Sequence, residues 1–105
     1  MPQFDVYKNP SKKTREAYPY LVDVQNPVID QLATRLVVPL TNANAKPNML
    51  MRKLTPEIDF NGNTFLFMTQ QLTSVPEGVL KNPVGTLDGS RALLIDAIDF
   101  AITGI

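Results

Sequence analysis

The chain has 105 residues, ten basic and ten acidic, with 44% hydrophobic residues and neither cysteine nor histidine. That length suits one domain spanning residues 1–105 around one core, and zero net charge argues against direct nucleic-acid binding, which draws on a basic excess. Without cysteine there is no disulfide or thiolate, and without histidine the usual metal ligand and near-neutral proton shuttle are missing, so the composition points to a binding protein with no metal and no cofactor.

Residues 3–7, with Phe4, Val6 and Tyr7, read as a short strand. Residues 8–17 hold Lys8, Lys12, Lys13 and Arg15, four of the ten basic residues, behind the turn signal Asn9-Pro10-Ser11. This is a basic, solvated loop: the tip of a hairpin, or a contact for an acidic or amphipathic partner. Residues 18–25 set Tyr18, Tyr20, Val22 and Val24 on one face and Leu21, Asp23 and Gln25 on the other, the alternation of a half-buried strand. Asn26-Pro27 turns the chain into a short exposed apolar stretch, Val28-Ile29-Asp30. Residues 34–41 form a third strand, where Pro39 removes a ladder donor and implies a bulge or an edge. Residues 42–51 read as a loop.

Asn61-Gly62 is a hairpin signal, because both central residues of a type I′ turn need positive φ. It joins strands expected at 53–60 and 64–74, the second apolar on both faces from Phe65 to Met68 and so expected in the middle of the sheet. Residues 75–86 form a connection, with a short strand suggested at Gly78-Val79-Leu80. From Asp88 the period becomes helical: Leu87, Leu94, Ile98 and Ala101 share a stripe beside Ile95 and Ile102, open to cover by a sheet face or a partner subunit. Asp88 or Ser90 suits the N-cap and Gly104 a left-handed terminator. Five to seven antiparallel strands in a barrel-like sheet with one C-terminal helix is the expected layout.

No phosphate-binding loop or catalytic triad is present. Glu57 and Asp59 lie two apart on one strand and read as solvated outer-face residues rather than an acid–base pair. No apolar run reaches the roughly 18–20 residues of a membrane span, and the opening residues carry no secretory signal, so a cytoplasmic protein without membrane contact is expected. The apolar final residue, Ile105, hints at docking into the core or into a partner.

Several stretches in order resemble the CcdB toxin family over nearly the whole chain: Gln3-Phe4-x-Val6-Tyr7; Val22-Asp23-Val24-Gln25 with Ile29-Asp30; Arg35-Leu36-Val37-Val38-Pro39-Leu40; Met68-Thr69 with Thr73-Ser74-Val75-Pro76; and the terminal Gly104-Ile105. The resemblance implies an SH3-like antiparallel barrel with a small three-stranded sheet and a C-terminal helix, assembled as a homodimer. It implies a non-catalytic toxin, of the kind that serves plasmid maintenance, which binds the DNA gyrase A subunit and traps the cleaved gyrase–DNA complex. A CcdA-like antitoxin, folding as it binds, would neutralise it. The gyrase surface implied is Val28, Ile29, Asp99, Ile102, Thr103, Gly104 and Ile105. The antitoxin surface implied is Lys8, Asn9, Lys12, Lys13 and Arg15.

The chain departs from the best-known members at Thr103, where they carry Trp, and at Asp99, where they carry a neutral amide. Loss of an aromatic anchor costs about 2 kcal/mol or more of binding. Two alternatives follow: an endoribonuclease of the MazF and Kid type, which shares the barrel and would draw on Arg15 or Arg35, or an inactive homologue that only binds antitoxin.

Overall fold

The computed structural model describes residues 3–26, 33–43 and 53–104. Seven antiparallel strands form one curled sheet: β1 (Asp5–Lys8), β2 (Tyr20–Asp23), β3 (Thr34–Asn42), β4 (Glu57–Phe60), β5 (Asn63–Phe67), β6 (Thr73–Pro76) and β7 (Gly85–Thr86), followed by helix α1 (Arg91–Thr103). The order is β4-β5-β3-β2-β1-β7, with β6 branching from β3. The fold is mainly β, a half-barrel with a C-terminal helix, as the patterning predicts.

The long strand β3 is the axis. Its first half pairs with β6 (Thr34↔Pro76 to Val37↔Thr73) and its second half with β5 (Leu40↔Phe67 to Asn42↔Phe65). Pro39 sits where one partner gives way to the other, and its carbonyl accepts from the Met68 amide on that side at 3.0 Å. In an antiparallel strand the N–H and C=O of one residue point the same way. The donor that Pro39 lacks would therefore point into the junction, where neither ladder needs it.

The inner face of the curl carries the main core, with Phe4, Val6, Val22, Val38, Leu40 and Phe67 fully buried. Leu94 and Ala97 of α1, 0% and 1% exposed, close this core from the helix side. Of the expected helical stripe, Leu87 and Leu94 are buried and Ile95 and Ile98 partly so, whereas Ala101 and Ile102 are exposed. Gly104 terminates the helix at φ 75°, its amide bonded to the Phe100 carbonyl, as expected. No Ser90 or Asp88 side chain caps the start; a 3-10 turn at Asp88–Ser90 leads into the helix instead.

Four strand expectations need correction; one is the strand expected at 53–60, which begins only at Glu57, since residues 53–54 are helical and Pro56 precedes the ladder. The first strand begins at Asp5 rather than residue 3, because Phe4 takes φ 70° to send its carbonyl to the Leu87 amide at 2.8 Å. Residues 64–74 are not one strand: Thr69–Gln71 form a 3-10 turn that lets the chain leave β5 and return on β3 as β6. Gly78-Val79-Leu80 is no strand either, since Glu77–Val79 is a 3-10 turn and the short strand comes later as β7. The Asn61-Gly62 hairpin holds, with φ of 52° and 79°. Glu57 and Asp59 are exposed on β4, as read, and Asp59 accepts from the Thr64 hydroxyl at 2.9 Å.

The two ends of the sheet meet where Phe60 of β4 lies over Gly85 of β7. A β-carbon on Gly85 would come within 2.5 Å of the Phe60 ring. Gly85→Ala is therefore expected to destabilise the fold by about 1–3 kcal/mol through overpacking, seen as a drop in thermal midpoint. Gly78→Ala, with nothing within 4 Å, serves as the control.

Candidate functional site

The outer face of the sheet carries a second cluster, Tyr7, Leu21, Val37 and Leu80, with Val75 against it. The connection after β6 brings Leu80 onto this face, so β2 is buried on both sides. Leu21, Asp23 and Gln25, expected on a solvated face, are 8%, 0% and 2% exposed. Arg35 of β3 is also fully buried. Its Nη2 lies 2.8 Å from Asp23 Oδ2, and its Nε donates to the same oxygen at 3.0 Å. Asp23 Oδ1 accepts from the Gln25 amide, and Gln25 Oε1 accepts from the Leu36 amide. The sequence blocks VDVQ and RLVVPL thus meet as one buried polar network that locks β2 to β3.

Burial pushes the Asp23 carboxyl above the 3.8 of an ordinary aspartate, outweighing the Gln25 amide and the Arg35 guanidinium, which pull it down. Arg35 is withdrawn from solvent by this pairing, so it is not positioned to reach an RNA phosphate.

The antitoxin candidates occupy the β1–β2 connection, and the loop is built around Asn9. Its Nδ2 donates to Thr14 Oγ1 (2.9 Å) and to the Tyr18 carbonyl (2.8 Å). Its Oδ1 accepts from the Ser11 amide, and its own amide donates to the Pro19 carbonyl. Asn9 is 5% exposed, so the expectation of a wholly solvated loop is corrected here: a buried side-chain amide, both of whose N–H groups and whose oxygen bond within the loop, organises the turn. Arg15 Nε and Nη2 donate to the Asn9 and Pro10 carbonyls at 3.2 and 3.3 Å, so this cation braces the loop as well. Lys8, Lys12 and Lys13 are exposed. Asn9→Ala is expected to cost about 1–3 kcal/mol because it orphans buried partners, whereas Lys12→Ala stays within about 0.5 kcal/mol; chemical unfolding of both variants measures the difference.

The gyrase candidates that are described lie at the end of α1. Ile102 is 71% exposed, the largest exposure among the big apolar side chains of the described residues. Asp99, Thr103 and Gly104 are exposed beside it. The Thr103 hydroxyl donates back to the Asp99 carbonyl at 2.7 Å. Val28, Ile29 and Ile105 lie outside the described residues. The candidates thus fall into two groups on different elements: a braced basic loop and a bare helix end.

Among the described residues no group of three or more acidic side chains is placed to hold a metal, and no helix is long and apolar enough to cross a membrane.

A curled half-barrel that spends its buried charges on strand pairing, and shows a basic loop and an apolar helix end, has the surfaces of a small binding protein. The chain belongs to the CcdB family, whose profile, described as CcdB protein, matches residues 3–104. That family is one of toxins in toxin–antitoxin pairs. Among solved structures the chain is similar to the Mycobacterium tuberculosis toxin MazF-mt6, at 15% identity, with 96% of each chain covered and a TM-score of 0.68. At that identity the likeness speaks for a shared fold alone.

Proposed function

We propose that this protein is a toxin that binds the DNA gyrase A subunit through the end of α1 and traps the gyrase–DNA cleavage complex, and that a CcdA-like antitoxin neutralises it. The observation that carries the proposal is Ile102, 71% exposed on the last helical turn beside Gly104. A side chain that bare offers a partner apolar area to bury. Family membership is what favours gyrase as that partner. The protein acts in the cytoplasm, where gyrase is, and it acts as a homodimer that presents two helix ends to a symmetric target. It cuts nothing itself.

The experiment is a plasmid cleavage assay with purified gyrase. Micromolar protein is expected to accumulate linear DNA that appears only when gyrase is present and only after protein denaturation. Unchanged supercoiling and no linear product would reject the proposal. The endoribonuclease reading has no comparable support, because Arg35 is buried against Asp23 and Arg15 is bonded to its own loop.

A further inference from the structure

Strand β1 ends beside a cleft that wraps its last residues. The register Tyr7↔Leu21 and Lys8↔Tyr20 leaves Tyr7 in the outer cluster and packs Tyr20 against the inner core. The Val84 amide donates to the Val6 carbonyl at 2.7 Å, which holds the segment before β7 against the same strand. Between that segment and the β1–β2 loop lies a cleft of about 580 Å³, a volume within the range of small-molecule sites.

Two kinds of lining meet in it. Pro19, Tyr20, Val79 and Val84 supply an apolar wall. The two valines are 36% and 38% exposed and so offer area to cover. The Tyr20 ring is fixed from its core side by edge contacts with Phe60 and Phe65, at 5.3 and 5.5 Å. Lys8, Arg15 and Lys81 bring three positive charges, and among the described residues no carboxylate lines the cleft. Asp5 and Glu77 border a neighbouring cleft that shares Lys81. Arg15 is held in place by the bonds of its Nε and Nη2 to loop carbonyls, in which its Nη1 takes no part. A fixed apolar wall beside clustered cations suits a small ligand with a flat body and more than one negative charge. A bare phosphate would leave the wall uncovered, and a purely apolar molecule would leave the cations unused.

We propose that this cleft binds a nucleoside di- or triphosphate, with the base against Pro19, Tyr20, Val79 and Val84 and the phosphates among Lys8, Arg15 and Lys81. The sequence has no Gly-rich phosphate loop, so side-chain cations hold the phosphates, Arg15 through its guanidinium and the lysines as point charges. Stacking against a flat wall tolerates any base, so the site selects for phosphate count more than for base identity. Attraction between exposed cations and phosphates is screened by salt.

The test titrates the full chain by calorimetry with ADP, and with adenosine, tripolyphosphate and a twelve-residue polyuridine as comparison probes. ADP is expected to bind with a Kd below about 1 mM, more weakly as salt rises, and to raise the thermal midpoint because it binds the folded state. Adenosine and tripolyphosphate should each bind tenfold or more weakly than ADP, since each meets only one half of the site. Lys81→Glu and Val84→Asp should each weaken ADP tenfold or more. Lys81→Arg, which keeps the charge, should retain binding, and this rescue separates loss of a contact from loss of the fold. Lys53→Glu makes the same change of charge outside the cleft, over the Phe100 ring, and should leave ADP binding as it is. Absence of ADP binding at millimolar concentration, equal binding of tripolyphosphate, indifference to Lys81→Glu and Val84→Asp, or tighter binding of polyuridine would each overturn the proposal. The readout uses neither gyrase nor antitoxin, so its result is independent of the toxin reading.

Discussion

Arg35→Met is expected to lower the unfolding free energy by about 3–5 kcal/mol at pH 7, the cost of leaving a buried carboxylate without its counter-ion. Asp23 and Arg35 side chains are both fully buried, so no water replaces the lost guanidinium. For a domain whose total stability is of order 5–15 kcal/mol, that is a large part of the whole. The double variant Asp23→Asn/Arg35→Met should lose less than the two single variants summed, since the asparagine oxygen can still accept from the Gln25 amide and no charge is left stranded. Urea unfolding of the four proteins measures the coupling.

The loss should also depend on pH in a stated direction. A carboxyl whose folded pKa is raised binds a proton more readily in the folded state than in the unfolded chain. Its cost is then complete above the folded value and relieved as pH falls through that value toward 3.8. Removing Arg35 removes one of the influences holding Asp23 down. Arg35→Met should therefore be nearer to the parent in stability at pH 5 than at pH 7. An equal or larger deficit at pH 5 would show that Asp23 is not the stranded charge.

Removing Gly104 and Ile105 is expected to abolish gyrase-dependent DNA linearisation with only a small change in thermal midpoint. Gly104 ends the helix through a single amide bond to Phe100, and its loss frays one turn. The buried helix residues, Leu94 and Ala97, lie upstream of that turn. Thr103→Trp should raise potency about tenfold or more, because a partly desolvated aromatic anchor is worth roughly 2 kcal/mol. At Thr103 the side chain is exposed and its hydroxyl is already bonded to Asp99, so a larger ring meets no core. If the tryptophan variant poisons gyrase no better than the parent, position 103 lies outside the contact.

Much of the architecture was legible because local chemistry and the final fold agree. Asn61-Gly62 forces a tight hairpin wherever it sits, and the change to a helical period after Asp88 marks α1. Pro39 suggested a bulge or an edge, whereas β3 is an interior strand and Pro39 marks the point where it changes partner from β6 to β5. The break after β5 was illegible because Phe65 to Met68 reads as one continuous apolar run, and only the return of β6 onto β3 requires the chain to turn at Thr69–Gln71.

Of the candidate surfaces, the sequence showed the basic loop and the apolar helix end as clusters of residue types. It did not show that Asn9 is the buried centre of that loop, or that Lys81, Val79 and Val84 stand beside it from about seventy residues away in the chain. Alternation along β2 implied that Asp23 and Gln25 meet water, and no local pattern corrects this. Periodicity reports that a strand has two faces; it does not report what later segment will cover them. By itself the sequence determined the strand and helix periods, the turns, the family and the absence of histidine and cysteine chemistry. Only the tertiary structure decided that the connection carrying Leu80 buries the outer face of β2, and with it the charge pair of Asp23 and Arg35. Burial depends on contacts between residues far apart in the chain, which no window of neighbouring residues contains.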